Sequence, residues 1–103
     1  MQTNESTMVK FDGLTREQVL CALYNSSKPQ GFGFLHYDPK PLTIEEAKEV
    51  LSQSEHVDYL KGRVIKVWLP ENVQDFDARL YDRDLGAGAA RAAIERYKRM
   101  GFH

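Results

Sequence analysis

Only one cysteine, Cys21, occurs in the 103 residues, so no disulfide can form within the chain. A chain with a single cysteine is typical of proteins in a reducing compartment. No apolar run reaches the roughly 20 residues that a membrane-spanning helix requires. The polar segment 1–7 lacks the apolar core of a secretory signal and predicts a short flexible tail. We therefore expect a cytoplasmic protein without a membrane partner.

The chain has no large excess of positive or negative charge, because its 14 Lys and Arg are balanced by 15 Asp and Glu. The formal net charge of −1 and the lack of a basic stripe argue against nucleic acid as a partner. The three histidines stand apart, in none of the spacings that zinc ligands use. No serine or cysteine nucleophile motif is present. These absences predict a protein that is not an enzyme and uses no cofactor or metal.

Hydrophobic periodicity predicts one small α+β domain over residues 1–103, in β-α-β-α-β-α order, with three or four short strands packed against three helices. Two helices are expected to begin at the capping-box patterns Thr15–Gln18 and Thr43–Glu46, whose end residues satisfy early N–H groups. The last helix is expected from Gly88 to Met100. Strands are expected at Met8–Phe11 and Phe34–Tyr37 and within Val57–Leu69, and an acidic loop over residues 71–78.

The stretch from Tyr81 to Arg91 contains the first candidate for a ligand site. Gly86 and Gly88 precede an alanine-rich helix, and such a helix entry presents free N–H groups at the positive end of the helix dipole. Arg83 and Arg91 carry planar guanidinium groups that match phosphate oxygens. The interpretation that competes with this one is a structural loop, in which the arginines bridge neighbouring aspartates and the helix ends.

A second candidate lies between Lys28 and Pro41, where glycines alternate with aromatic residues. The rings of Phe32, Phe34 and Tyr37 are suited to stack on a flat ligand such as a base. Ordinary aromatic packing in a core hairpin is the alternative, because an isolated Gly-x-Gly is a weak signal for dinucleotide binding. More distant basic candidates for an anion site are Lys28, Lys61, Arg63 and Lys66.

Several strings in the chain resemble a family of small proteins encoded by bacteriophages and prophages. They are Tyr-Asn-Ser-Ser-Lys-Pro-Gln-Gly (24–31), Gly-Phe-Leu-His-Tyr-Asp-Pro (33–39), Asp-Tyr-Leu-Lys-Gly-Arg-Val-Ile-Lys-Val (58–67) and Arg-Leu-Tyr-Asp-Arg-Asp-Leu-Gly (79–86). The resemblance implies a phage-related setting in the bacterial host cytoplasm. It implies no activity and no site residues, since that family is uncharacterised.

These observations favour a non-enzymatic phage accessory protein that binds or sequesters a small anionic ligand. A nucleotide is the ligand that we expect, and an anti-defence role is the function that such binding would serve. A protein-binding module that inhibits a host protein is the alternative, with Phe32, Tyr59 and Trp68 as candidate anchors. A metal-dependent phosphoesterase would need a cluster of aspartates, drawn from Asp75, Asp77, Asp82 and Asp84. Because so small a domain has little room for a deep pocket, we expect a homo-oligomer, a dimer, with the site at its boundary.

Overall fold

A computed structural model describes residues 8–27 and 41–100 of the chain. In that part the strands are β1 (Met8–Lys10), β2 (His56–Leu60), β3 (Arg63–Trp68) and β4 (Asp75–Asp77). The helices there are α1 (Arg16–Ser26), α2 (Ile44–Gln53), α3 (Arg79–Leu85) and α4 (Ala89–Arg99). The predicted α+β class is confirmed. The predicted tail and the predicted strand at residues 34–37 lie outside the described residues.

Among the described residues the strands form two antiparallel pairs, β1 with β4 and β2 with β3. β4 lies within residues 71–78, so the prediction of an uninterrupted loop there was wrong. Phe76 is the reason, because it pairs with Val9 in register and its ring lies 6.0 Å from that of Phe11. A three-residue strand held by one buried ring is too short to show a period-2 pattern.

Both predicted capping boxes are confirmed. The Thr15 hydroxyl accepts from the Gln18 N–H at 3.1 Å, and the Gln18 side chain accepts from the Thr15 N–H at 2.9 Å. Thr43 and Glu46 repeat the arrangement at 3.1 and 3.0 Å. These reciprocal bonds satisfy two otherwise unpaired donors at the start of α1 and of α2.

A two-residue turn, Lys61–Gly62, joins β2 to β3. Both residues have positive φ, 52° and 79°, which is the geometry of a turn that matches the twist of a hairpin. Leu60 and Arg63 are paired directly across it, so the turn fixes Arg63 as the first residue of β3. Lys61 also forms an ion pair with Glu46 of α2, and its hydrogen bond lowers the pKa of the Glu46 carboxyl.

α1 is the central helix of the described domain. Six consecutive residues of α1, Val19 to Tyr24, are buried, because α2, α4 and β3 pack around it. A helix that is apolar on all sides is expected in such a position. Cys21 lies in this buried segment, where burial raises the pKa of its thiol to about 11. Within the described ranges, no helix has both the length and the apolar character needed to cross a membrane.

The C-terminal end of α1 is closed by a side chain from the far end of the sequence. Tyr81, on α3, donates its hydroxyl hydrogen to the carbonyl of Leu23 at 2.7 Å in a buried position. The last carbonyls of a helix have no partner within the helix, so this bond satisfies one of them. Desolvation raises the pKa of the Tyr81 phenol, which therefore stays a donor at neutral pH.

Replacing Tyr81 by phenylalanine is expected to destabilise the fold by about 1–3 kcal/mol, because the buried Leu23 carbonyl loses its donor. The drop in melting temperature should be roughly 4–8 °C per kcal/mol for a domain of this size. Tyr59→Phe is the matched control, since Tyr59 is 59% exposed. Equal melting temperatures for the two variants would show that the hydroxyl of Tyr81 does not stabilise α1.

Candidate ligand site between helices α1 and α4

The start of α4, predicted to bind an anion, already holds one from the chain itself. Asp82 accepts hydrogen bonds from the N–H of Gly88 at 3.3 Å and of Ala90 at 2.9 Å. The Gly86 N–H donates to the Asp82 carbonyl at 2.6 Å, and the Ala89 N–H donates to the Gly86 carbonyl at 3.0 Å. Of these amides, those of Gly88 and Ala90 are bound by the Asp82 carboxylate, and those of Gly86 and Ala89 by backbone carbonyls. Their role in holding a phosphate stays a prediction.

The side chains predicted to assist at this site are not gathered there. Arg83 and Arg91 are both exposed, and neither forms an ion pair with another described residue. Their role in binding a ligand stays a prediction. The predicted stacking residues Phe32, Phe34 and Tyr37 lie outside the described residues, so the structure does not place them relative to the glycines.

A cavity of about 290 Å³ opens between the end of α1 and the last two turns of α4. We call it the α1–α4 cavity. Its size is at the lower end of the range typical of small-molecule sites, about 300–1,000 Å³. Its described walls consist of Ala22, Tyr24, Asn25, Ser26, Pro41, Arg63, Ala93, Arg96, Tyr97 and Met100.

Arg63 is the unusual residue of this cavity, because it is charged and yet only 6% exposed. Both hydrogen bonds that it makes in the described structure come from Nη1, to the Tyr24 carbonyl at 3.1 Å and the Ser27 carbonyl at 2.7 Å. Its Cζ lies 5.0 Å from the centre of the Tyr24 ring. Its Nε is buried and has no hydrogen-bond partner. Among the described residues, Arg63 therefore has carbonyl and ring partners but no carboxylate to balance its charge.

Arg96 and Asn25 add further donors to the cavity walls. Arg96, from α4, adds a second and exposed guanidinium group. The Asn25 Oδ1 already accepts from the Leu42 N–H at 3.2 Å, which leaves the amide NH₂ of Asn25 for a ligand. No Asp or Glu belongs to the described walls. A site with two guanidinium groups and no carboxylate is complementary to an anion.

Apolar surface completes the cavity. Ala22 and Ala93 are buried small residues on the facing sides of α1 and α4, and they leave space that larger side chains would fill. Tyr97 adds an aromatic ring, and Met100 lies at the rim with 60% of its surface exposed. The combination of apolar walls with a few convergent polar groups is typical of small-molecule sites.

A second surface, which we call the Trp68 surface, combines His56, Trp68 and Leu80. The rings of His56 and Trp68 are stacked, with centres 5.6 Å apart, and the Trp68 indole N–H donates to Glu55 at 3.2 Å. Trp68 is nevertheless 49% exposed. The groove beside it has a volume of about 330 Å³ and side chains of both charges, Asp58, Lys66, Asp77 and Arg79.

Among residues 8–27 and 41–100, no group of three or more His, Cys, Asp or Glu is arranged to hold a metal ion. Two of the four aspartates considered for such a site have other contacts, since Asp82 binds the start of α4 and Asp77 pairs with Arg79 at 2.8 Å. Comparison with protein-family models, curated proteins and solved structures gives no match to the chain. The assignment of a site therefore depends on the geometry of the chain itself.

Sequence reasoning named Arg63 only as a distant candidate and did not name Arg96 as a site residue. The sequence nevertheless contained a signal for Arg63. It lies at the same alternating positions as Ile65 and Val67, so it belongs to the buried face of β3. A charge on the inner face of a strand calls for a partner. Arg96 shows a weaker signal, three residues after the inner-face residue Ala93 on α4.

Replacing Asp82 by alanine is expected to destabilise the domain by about 0.5–2 kcal/mol, the usual cost of losing a helix cap. The measurement is chemical or thermal unfolding of the purified variant. Asp84→Ala is the matched control, because Asp84 lies on the same helix, is exposed and has no such capping bonds. If phosphate stabilised Asp82→Ala strongly, the start of α4 would be an anion site that Asp82 normally closes.

Proposed function

We propose that this protein is a non-enzymatic binding protein that holds a small anionic ligand, a nucleotide, in the α1–α4 cavity. The proposal rests on the buried guanidinium of Arg63, which has no carboxylate beside it in the part of the chain that the structure describes. An arginine side chain cannot lose its charge in a protein. Its burial therefore costs several kcal/mol unless an opposite charge or a set of hydrogen bonds compensates for it.

The compensation within the chain is partial, because the two carbonyls bind one edge of the guanidinium and Nε has no acceptor. A ligand anion would supply the missing acceptors and the missing charge together. Arg96 would bind the same anion from α4, since both arginines belong to the cavity walls. A charge-assisted pair of this kind is stronger than a hydrogen bond between neutral groups.

A nucleotide suits the remainder of the cavity better than an inorganic anion does. The walls include the buried residues Ala22, Ala93 and Tyr97 and, at the rim, Met100, which is 60% exposed and which an inorganic ion would leave uncovered. A nucleotide combines a phosphate for the arginines with a flat base for the apolar part. A volume of about 290 Å³ suits one nucleotide unit rather than a longer chain.

The resemblance to phage-encoded proteins supports a role for such binding in the host cytoplasm. A protein that sequesters a nucleotide removes it from solution without chemistry, which is a direct way to silence a defence signal. The cavity is open on one side, with Met100 exposed at its rim. A second copy of the chain that covered this side would deepen the site, and we expect a homodimer for that reason.

The Trp68 surface favours a second candidate function, the binding of a host protein. Exposed tryptophan is enriched among the residues that dominate protein interfaces. Leu80, 42% exposed, would extend the apolar contact. Loss of a co-purifying host partner in Trp68→Ala, with the nucleotide response unchanged, would assign this function to the Trp68 surface.

A thermal-shift screen with mono-, di- and cyclic nucleotides is expected to identify a ligand that stabilises the protein. At about 100 times its dissociation constant the ligand adds roughly 2.7 kcal/mol, which raises the melting temperature by on the order of 10 °C. Arg96→Glu should abolish the shift, because it places a negative charge in the wall of the cavity. Arg99→Glu is the matched control on the same helix and should keep the shift, since Arg99 is exposed and outside the cavity.

Arg91→Glu distinguishes the two possible anion sites. A shift that persists in Arg91→Glu but disappears in Arg96→Glu locates the ligand in the α1–α4 cavity. The reverse result would return the ligand to the start of α4 and contradict the proposal. A panel without any shift would leave the Trp68 surface as the better supported site.

A further inference from the structure

We infer that the α1–α4 cavity recognises a terminal phosphate monoester and discriminates against phosphate diesters. This inference rests on the proposed function, and it specifies the chemical class of the ligand. Three properties of the described walls support the inference. They are the net charge of the walls, the edge of the Arg63 guanidinium that has no hydrogen bond to a described residue, and the location of Arg63 and Arg96 on different secondary-structure elements.

The first property is charge. The described walls contain two guanidinium groups, from Arg63 and Arg96, and no carboxylate. The ion pairs of the described residues also leave these two arginines without an acidic partner. A phosphate monoester carries about −1.5 to −2 charges at neutral pH. A diester carries one charge, which would leave one of the two positive charges uncompensated.

The second property is the hydrogen-bonding capacity of Arg63. Its Nη1 is occupied by the carbonyls of Tyr24 and Ser27, which fixes the orientation of the guanidinium plane. The opposite edge, formed by Nε and Nη2, makes no hydrogen bond to the described residues, and Nε is buried. Nε and Nη2 together can donate two parallel hydrogen bonds to two oxygens of one phosphate group. Because Nε is covered in the described structure, binding of this kind has to move the groups that cover it. The chain has thus positioned the guanidinium while leaving one edge for a ligand.

The third property is the position of Arg96 on α4, whereas Arg63 begins β3. With two oxygens bound by Arg63, a third oxygen is needed for Arg96 to contribute a charge-assisted bond. A terminal phosphate has three non-bridging oxygens, whereas a diester has two. The exposed side chain of Arg96 can adjust to the third oxygen, since no ion pair with a described residue holds it elsewhere.

The test is isothermal titration calorimetry with ligands that differ at the phosphate alone. The probes are adenosine 5′-monophosphate, its methyl ester, adenosine, and inorganic phosphate, with the guanosine series in parallel. The monophosphate of the preferred base is expected to bind at least tenfold more tightly than its methyl ester. Arg96→Gln should reduce this ratio toward one, because the third oxygen loses its partner. Arg99→Gln should preserve the ratio.

Arg63→Gln is the second variant, with its fold checked by circular dichroism because Arg63 also binds the end of α1. Should it unfold, Arg96→Gln alone decides the matter, since that side chain is exposed.

Equal affinity for the monophosphate and the methyl ester would overturn the inference and leave nucleotide binding intact. Binding of inorganic phosphate alone, lost in Arg96→Gln, would support the phosphate site and overturn the nucleotide function. No binding of any probe would overturn both.

Discussion

The buried guanidinium of Arg63 joins the β2–β3 hairpin to the end of α1 in the described structure. From the first residue of β3, its Nη1 donates to two carbonyls at the end of α1, and its Cζ lies 5.0 Å from the centre of the Tyr24 ring. It thereby connects the hairpin, the central helix and the wall of the α1–α4 cavity. No neutral side chain combines the length of arginine with the two donors that these carbonyls bind. Arg63 therefore has a structural role at this position, and a ligand that uses its charge is a proposal that adds to that role.

Helix ends in this protein are satisfied by remote side chains as well as by local ones. Tyr81 and Asp82 are neighbours on α3, yet Tyr81 binds the end of α1 and Asp82 binds the start of α4. The stretch from Tyr81 to Arg91 thus connects three helices. Its aspartates and glycines, which also have the pattern of a ligand site, have a structural role here. The cavity formed where α1 and α4 meet contains Arg63 and Arg96, neither of which has an acidic partner among the described residues. Arg63 differs from the exposed unpaired arginines in being buried.

Local interactions explain what the sequence could predict. The capping boxes at Thr15 and Thr43 and the Lys61–Gly62 turn each involve residues within four positions, so their signals are complete in a short window. Long-range interactions explain the remainder. β4 forms because Phe76 pairs with Val9, and the contacts of Arg63 depend on the position of α1. In both cases the partners are far apart in the sequence, so a short window of sequence does not contain the interaction. Helices α1, α2 and α4 were therefore predictable, whereas the fourth helix, α3, and the α1–α4 cavity were not predicted.

The most direct test of this account is the Nε–H signal of Arg63 in a nitrogen-15 NMR spectrum, followed while the nucleotide selected by calorimetry is added. The buried Nε lacks an acceptor in the described structure, so a ligand that supplies one should move this signal strongly and saturably. The Nε–H signals of Arg83 and Arg91 should move little, since both side chains are exposed and away from the cavity. An unchanged Arg63 signal at saturation, with movement at Arg83 or Arg91, would contradict the account.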